Sequence, residues 1–225
     1  MTLDEFVNLE MSPAKAFLLG MIFPLYTEKT AANGNRYVLA QVRHNAAHIS
    51  EEDILEHHKK IKQFLGSYKL SEKIKITANQ TEEFGNLSGA LRGFTLLIEK
   101  DSSENENVSF QKIYKLVSKL KFESIENKRF FIKGIFDGRG SMDTNSHLIV
   151  VDYKLSEDTF QTFSDIVESV GFELTPNKRH DGEARNAQFR IKTSSLKKFN
   201  DEIGFFSVRR QNYLNDMLKK LGVDK

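Results

Sequence analysis

Cysteine is absent from the 225 residues, which removes disulfides, thiolate metal sites and cysteine nucleophiles together. A chain without it suits a reducing interior, and a cytoplasmic protein is expected. Proline is scarce at 3 residues, so a linker-rich chain is not expected. No stretch approaches the ~18–20 apolar residues of a membrane span, and no membrane partner is expected. The opening residues Met1 to Phe6 carry neither a basic segment nor a long apolar run, unlike a secretory signal. Net charge is also low, at +2 from 33 basic and 31 acidic residues. The residues up to Leu120 hold 15 of each sign. Global charge therefore announces no nucleic-acid partner, which must be argued from local clustering.

What is present is aromatic and patterned. Eighteen phenylalanines within a 39% hydrophobic composition can fill a sizeable core, which excludes a disordered chain. Ser12 and Pro13 start a helix, as N-cap and first helical residue. The helix is apolar on nearly every side through Phe17, Leu18, Leu19, Met21, Ile22 and Phe23, which predicts burial. Pro24 stops it. A second apolar helix, Asn127–Gly138, ends in the glycine turn Gly138-Arg139-Gly140.

The rest of the chain is predicted as two similar runs. Strands at Tyr26–Thr30 and Arg36–His44 flank the hairpin signal Asn33-Gly34. A helix from Ser50 to Gly66 follows, then strands Lys73–Thr77 and Ala90–Lys100. A polar loop, Asp101–Asn107, precedes the helix Phe110–Leu120. In the second run, strands Ser141–Thr144 and His147–Lys154 follow the apolar helix. A helix Glu157–Val170, strands Phe172–Asn177 and Arg185–Lys192, and helices Ser194–Ile203 and Phe206–Leu221 complete it. Each run reads αββαββα, and the fold class is α+β. Gly20 and Gly134 lie 114 positions apart, about half the chain. The expected division is residues 1–120 and residues 121–225.

The segment Ile132 to Gly140, Ile-Lys-Gly-Ile-Phe-Asp-Gly-Arg-Gly, resembles the signature peptide of the LAGLIDADG homing endonuclease-like family. Leu18 to Tyr26 is a weaker first copy, and Phe199 to Leu214 is similar to the family's closing segment. The resemblance covers nearly the whole chain and implies a two-repeat monomer. In that fold each repeat contributes four strands to a β-saddle, with helices on the outer face. Glycine inside a helix costs about 1 kcal/mol relative to alanine, so Gly20, Gly134 and Gly138 need a compensating role. Without a Cβ they allow two helices to approach backbone to backbone, and they are expected to form the helix interface.

The resemblance also implies where catalysis would sit. In active members each signature peptide ends in an acid, and the two acids bind divalent metal, usually Mg²⁺. Here the matching positions are Leu25 and Arg139. Neither supplies the hard oxygen donors that Mg²⁺ demands. Asp137 is retained two residues earlier, where the family often has an acid that is not the main metal ligand. No catalytic residue, no metal site and no cofactor are expected, with Mg²⁺ required only if cleavage is retained.

The expected contact surface follows from strand alternation. On the outward face of the second repeat lie Asn186, Gln188, Arg190 and Lys192, with Lys178 and Arg179 at the hairpin tip. In the first repeat Tyr37, Gln41, Arg43, Lys73 and Lys75 occupy equivalent faces, with Arg36 near the tip. Arg139 adds a cation that attracts phosphate. Such side chains read base edges and pair with phosphates, although any one-sided sheet also shows water a polar row. His57 and His58 are adjacent and are read as solvated on a helix surface. Gly138-Arg139-Gly140-Ser141 is not a phosphate loop, since it lacks the Gly-Lys ending.

The leading expectation is a protein that binds double-stranded DNA sequence-specifically without cutting it. One alternative is a divergent Mg²⁺-dependent endonuclease recruiting Asp137, Asp143 or Glu28. Another is an RNA-binding, intron maturase-like splicing cofactor.

Overall fold

The structure, a computed structural model, describes residues 1–23, 26–44, 50–78, 92–143, 148–153, 157–177 and 187–223. Its helices begin where the sequence supplies caps. Helix α1 (Leu3–Asn8) carries a capping box between Thr2 and Glu5. Helix α2 (Pro13–Ile22) starts at the Ser12 cap with Pro13 in its first turn. Helix α3 (Glu51–Ser67) has a second capping box, between Ser50 and Asp53. Each reciprocal pair satisfies backbone donors that the helix leaves open.

Two starts lie earlier than the apolar spacing places them. Helix α4 (Glu106–Lys119) is capped by Asn105, whose side chain accepts from Val108 N at 2.9 Å. Its first turn is polar, and apolar spacing does not reveal it. Helix α5 (Ile125–Arg139) is capped by Ser124. Helices α6 (Glu157–Ser169), α7 (Leu196–Glu202) and α8 (Val208–Lys220) complete the set.

The strands form two antiparallel sheets. Strands β1 (Glu28–Thr30), β2 (Arg36–His44), β3 (Lys75–Ala78) and β4 (Arg92–Lys100) run in the order β1-β2-β4-β3. Strands β5 (Ser141–Asp143), β6 (Leu148–Tyr153), β7 (Leu174–Asn177) and β8 (Ala187–Ile191) run in the order β5-β6-β8-β7. The two sheets thus share one connectivity, and the class is α+β as expected. Lys73 lies just ahead of β3 and outside the ladder.

The main apolar cluster of the described residues runs from Leu3 to Leu218 and draws on both sheets and all the long helices. Helices α2 and α5 lie at its centre. Every residue of α2 from Ala14 to Ile22 is buried, Lys15 included, as a helix apolar on nearly every side requires. Among the described residues, no helix is long and apolar enough to cross a membrane.

Candidate nucleic-acid interface

The α2–α5 contact is made by backbone. A Cβ on Gly20 would lie 2.0 Å from the Phe131 carbonyl oxygen, and one on Gly134 would lie 2.0 Å from that of Phe17. Phe17 and Phe131 are themselves 114 positions apart, the spacing of the two glycines. The contact is therefore reciprocal about its own midpoint. Gly138 also faces α2, with Met21 Cα 3.5 Å from its Cβ position, and the Gln41 carbonyl oxygen of β2 lies nearer still at 3.1 Å.

One turn beyond the glycines the two helices diverge in chemistry. Phe23, at the C-cap of α2, is fully buried. It stacks on Tyr114 at 6.4 Å and 9°, and packs on Phe131 at 6.1 Å. Asp137, the residue 114 positions on, is also fully buried. Its carboxylate accepts the backbone N–H of Phe206 at 2.9 Å and that of Ser207 at 3.2 Å. Those donors lie at the N-terminus of α8, where a carboxylate is favoured. His57 Nε2 of α3 lies 3.2 Å from Asp137 Oδ1. Arg210, itself buried, donates to the main-chain carbonyls of Phe136 and Asp137. Lys133 donates to Ile203 O at 2.7 Å and covers the Phe206 ring.

Burial alone would push the Asp137 carboxyl up. The contact with His57, the positive charges of His57 and Lys133, and the Phe206 N–H outweigh it and hold the group below the usual carboxylate range. Burial pushes the His57 imidazole down, against the pull of Asp137. Burial also brings the Arg210 guanidinium down to about 10.

These contacts test whether the retained acids fit a divalent cation. Asp137 has no exposed surface and its oxygens already accept backbone donors. Glu28 accepts Lys100 Nζ at 2.7 Å, Arg36 Nη2 at 3.0 Å and Tyr26 OH at 2.6 Å. Neither fits a metal ion, because its donor oxygens are committed to the fold. The Asp143 side chain lies outside the described residues, and among those described no group of His, Asp and Glu is placed to hold one.

The expected contact residues fall into three groups. Arg190 is half-buried on β8, and its Nε is buried without a hydrogen-bond partner among the described residues. Lys192 is exposed and pairs with Glu173, and Lys73 is exposed beside the N-terminus. Arg36, Tyr37 and Gln41 are not an outward row. Arg36 is tied to Glu28 and to the carbonyls of Ser102 and Glu104. Tyr37 and Gln41 are each 7% exposed. Tyr37 joins Ala31, Leu39 and Leu97 in a small apolar cluster separate from the main core. Alternation gave Tyr37 its face correctly; cross-strand apolar neighbours, remote in sequence, removed its exposure. Of Arg43, Lys75, Arg139 and Gln188 only the backbone is described, and Leu25, Lys178, Arg179 and Asn186 lie outside the described residues.

His57 corrects the reading of a solvated histidine pair. It has no exposed surface. The signal was the spacing of Ile54, His57, Ile61 and Leu65, which puts it on the apolar stripe of α3. Adjacency to His58 disguised it.

No family model matches the sequence, and no curated protein matches it. Solved structures do. The structure of I-DmoI in complex with DNA and Mn is similar at a TM-score of 0.52 and 16% identity, over 86% of this chain and 97% of that one. The complex of I-DmoI with DNA and Ca gives 0.53 and 17%, over 87% and 91%. Full-length DUF199/WhiA from Thermatoga maritima gives 0.50 and 12%, over 97% of this chain and 65% of that one. At such identities the likeness is one of fold, and the fold of this chain is that of the LAGLIDADG-like proteins.

Proposed function

We propose that this chain binds double-stranded DNA sequence-specifically across its two sheets and does not cut it. The observation that carries the reading is the pairing of α2 and α5 through reciprocal glycines, with a four-stranded sheet of the same connectivity following each helix. The fold is similar to that of I-DmoI, whose structures include complexes with DNA. Residues 1–120 and 121–225 act as two repeats, each offering one sheet to one half of the site. Of the expected contact residues, Arg190, Lys192 and Lys73 are described with side chains that reach solvent and can meet a phosphate or a base edge.

The absence of cutting follows from what stands at the helix ends. Leu25 and Arg139 supply no carboxylate where the resemblance calls for two. Asp137 and Glu28 are committed to structural contacts. An arginine at the end of α5 repels a cation and attracts phosphate instead.

An electrophoretic shift titration against duplex DNA, run from low to moderate salt, tests the binding. Binding that weakens steeply with salt is expected; no duplex affinity at low salt overturns the reading. Incubation of supercoiled plasmid with Mg²⁺ or Mn²⁺ tests the second part. Nicking by purified protein, lost in Asp137→Ala but retained in a folded surface variant, would overturn it in favour of a divergent endonuclease.

A further inference from the structure

We propose that the DNA contact is lopsided, carried by the central strand β8 of the second sheet and not by the equivalent strand β4 of the first. The inference rests on the DNA-binding reading above. The two sheets can be aligned by register. Val38 pairs with Ile98 in one, and Ile149 pairs with Ile191 in the other. Ile98 and Ile191 have no exposed surface and both belong to the main core. They mark the same position in the two central strands.

Alternation then turns the residues on either side of each isoleucine to the opposite face. In β4 these are Leu97 and Glu99; at β8 they are Arg190 and Lys192. Leu97 is 2% exposed and packs with Leu39, Tyr37 and Ala31. Glu99 is exposed and sets a carboxylate where a phosphate would approach. Arg190 sits between Val150 and Thr175 in the ladder, and its Nε is buried without a partner among the described residues. Among the described residues Lys192 pairs with the exposed Glu173, and such pairs exchange readily. The formal charge of the two positions is thus −1 in the first sheet and +2 in the second.

Among the described side chains of the first sheet, two cations are committed internally. Lys100 and Arg36 both close on Glu28. Arg190 therefore determines how tightly DNA is held, whereas Leu97 contributes packing.

The test is a hydroxyl-radical footprint on a duplex selected from a random pool, using the full chain and the variants Arg190→Gln, Arg190→Lys and Glu99→Gln. The wild-type footprint is expected to be strong on one side of the site centre and weak on the other. Arg190→Gln should weaken binding about tenfold or more, Arg190→Lys should retain the one-sided footprint, and Glu99→Gln should not weaken binding. A loss equal on all sequences with a shallower salt slope assigns Arg190 to phosphate; a loss confined to the selected sequence assigns it to a base. Equal protection on both sides, or unchanged affinity in a folded Arg190→Gln protein, overturns the lopsided contact while leaving DNA binding intact. No duplex affinity in the wild type overturns both.

Discussion

Phe23 and Asp137 occupy the same turn of the two central helices, 114 positions apart, and both are fully buried. One is met by aromatic rings from α4 and α5. The other is met by the first N–H groups of the α8 region, with His57 brought in from α3. The aromatic side chain asks only for surface and tolerates imprecise neighbours. The carboxylate asks for directed donors and compensating charge, because an unpaired ion in that position is strongly unfavourable. The difference explains why the second side of the molecule has a dense polar network around its helix end. It also explains why that network reaches across into a helix of the first half. A buried charge recruits partners by geometry, wherever in the sequence they lie.

Five substitutions break or sharpen this contrast. Gly134→Ala strikes both sides at once, because its Cβ would lie 2.0 Å from a backbone oxygen. The helices must separate, and a loss above about 4 kcal/mol is expected, read as failure to show a cooperative unfolding transition. Asp137→Ala breaks only the polar side. Removing one partner of a buried charge pair costs roughly 3–5 kcal/mol, measurable as a lower urea midpoint. Acid sharpens the point. The Asp137 pKa is depressed in the folded state, so its stabilisation is complete above the ordinary value of 3.8 and fades as pH falls through the lower folded value. The stability gap between wild type and Asp137→Asn should therefore narrow in strong acid; a gap that is constant with pH would refute a charged Asp137. Phe23→Leu probes the aromatic side while keeping it apolar, and a loss of about 1 kcal/mol is expected in the same urea assay. Smallest is Lys192→Ala, whose exposed pair with Glu173 is worth less than about 1 kcal/mol; its urea midpoint should hardly move.

The part of the fold legible in sequence was the part with local causes. Ser12-Pro13, the apolar run through Phe23 and the Asn33-Gly34 turn each act within a few residues, and the structure follows them. Glu28 and Asp137 read as spare acids because the sequence does not reveal that Lys100 or the Phe206 N–H lies beside them. Lys15 is a further case. It stands between two alanines on a buried helix, and its ammonium donates to Val7 O at 2.9 Å and Leu9 O at 2.6 Å. It holds the end of α1 against α2, a role visible only once the chain has turned back on itself. On the candidate interface, alternation predicted faces and missed exposure, as Tyr37 and Gln41 demonstrate.

The reciprocal glycine contact has a consequence for building new proteins from this one. The obstacle opposite each missing Cβ is a peptide oxygen, so no side-chain change elsewhere can make room for it. Phe23 and Asp137 can in principle be exchanged if their surroundings are exchanged with them. Gly20 and Gly134 cannot be traded for anything larger in either half. A chimera joining one half of this chain to the complementary half of another protein of the same fold therefore has a simple compatibility rule. The incoming helix must bring its own glycine at the crossing, and an exposed carbonyl one turn away to receive the glycine already there.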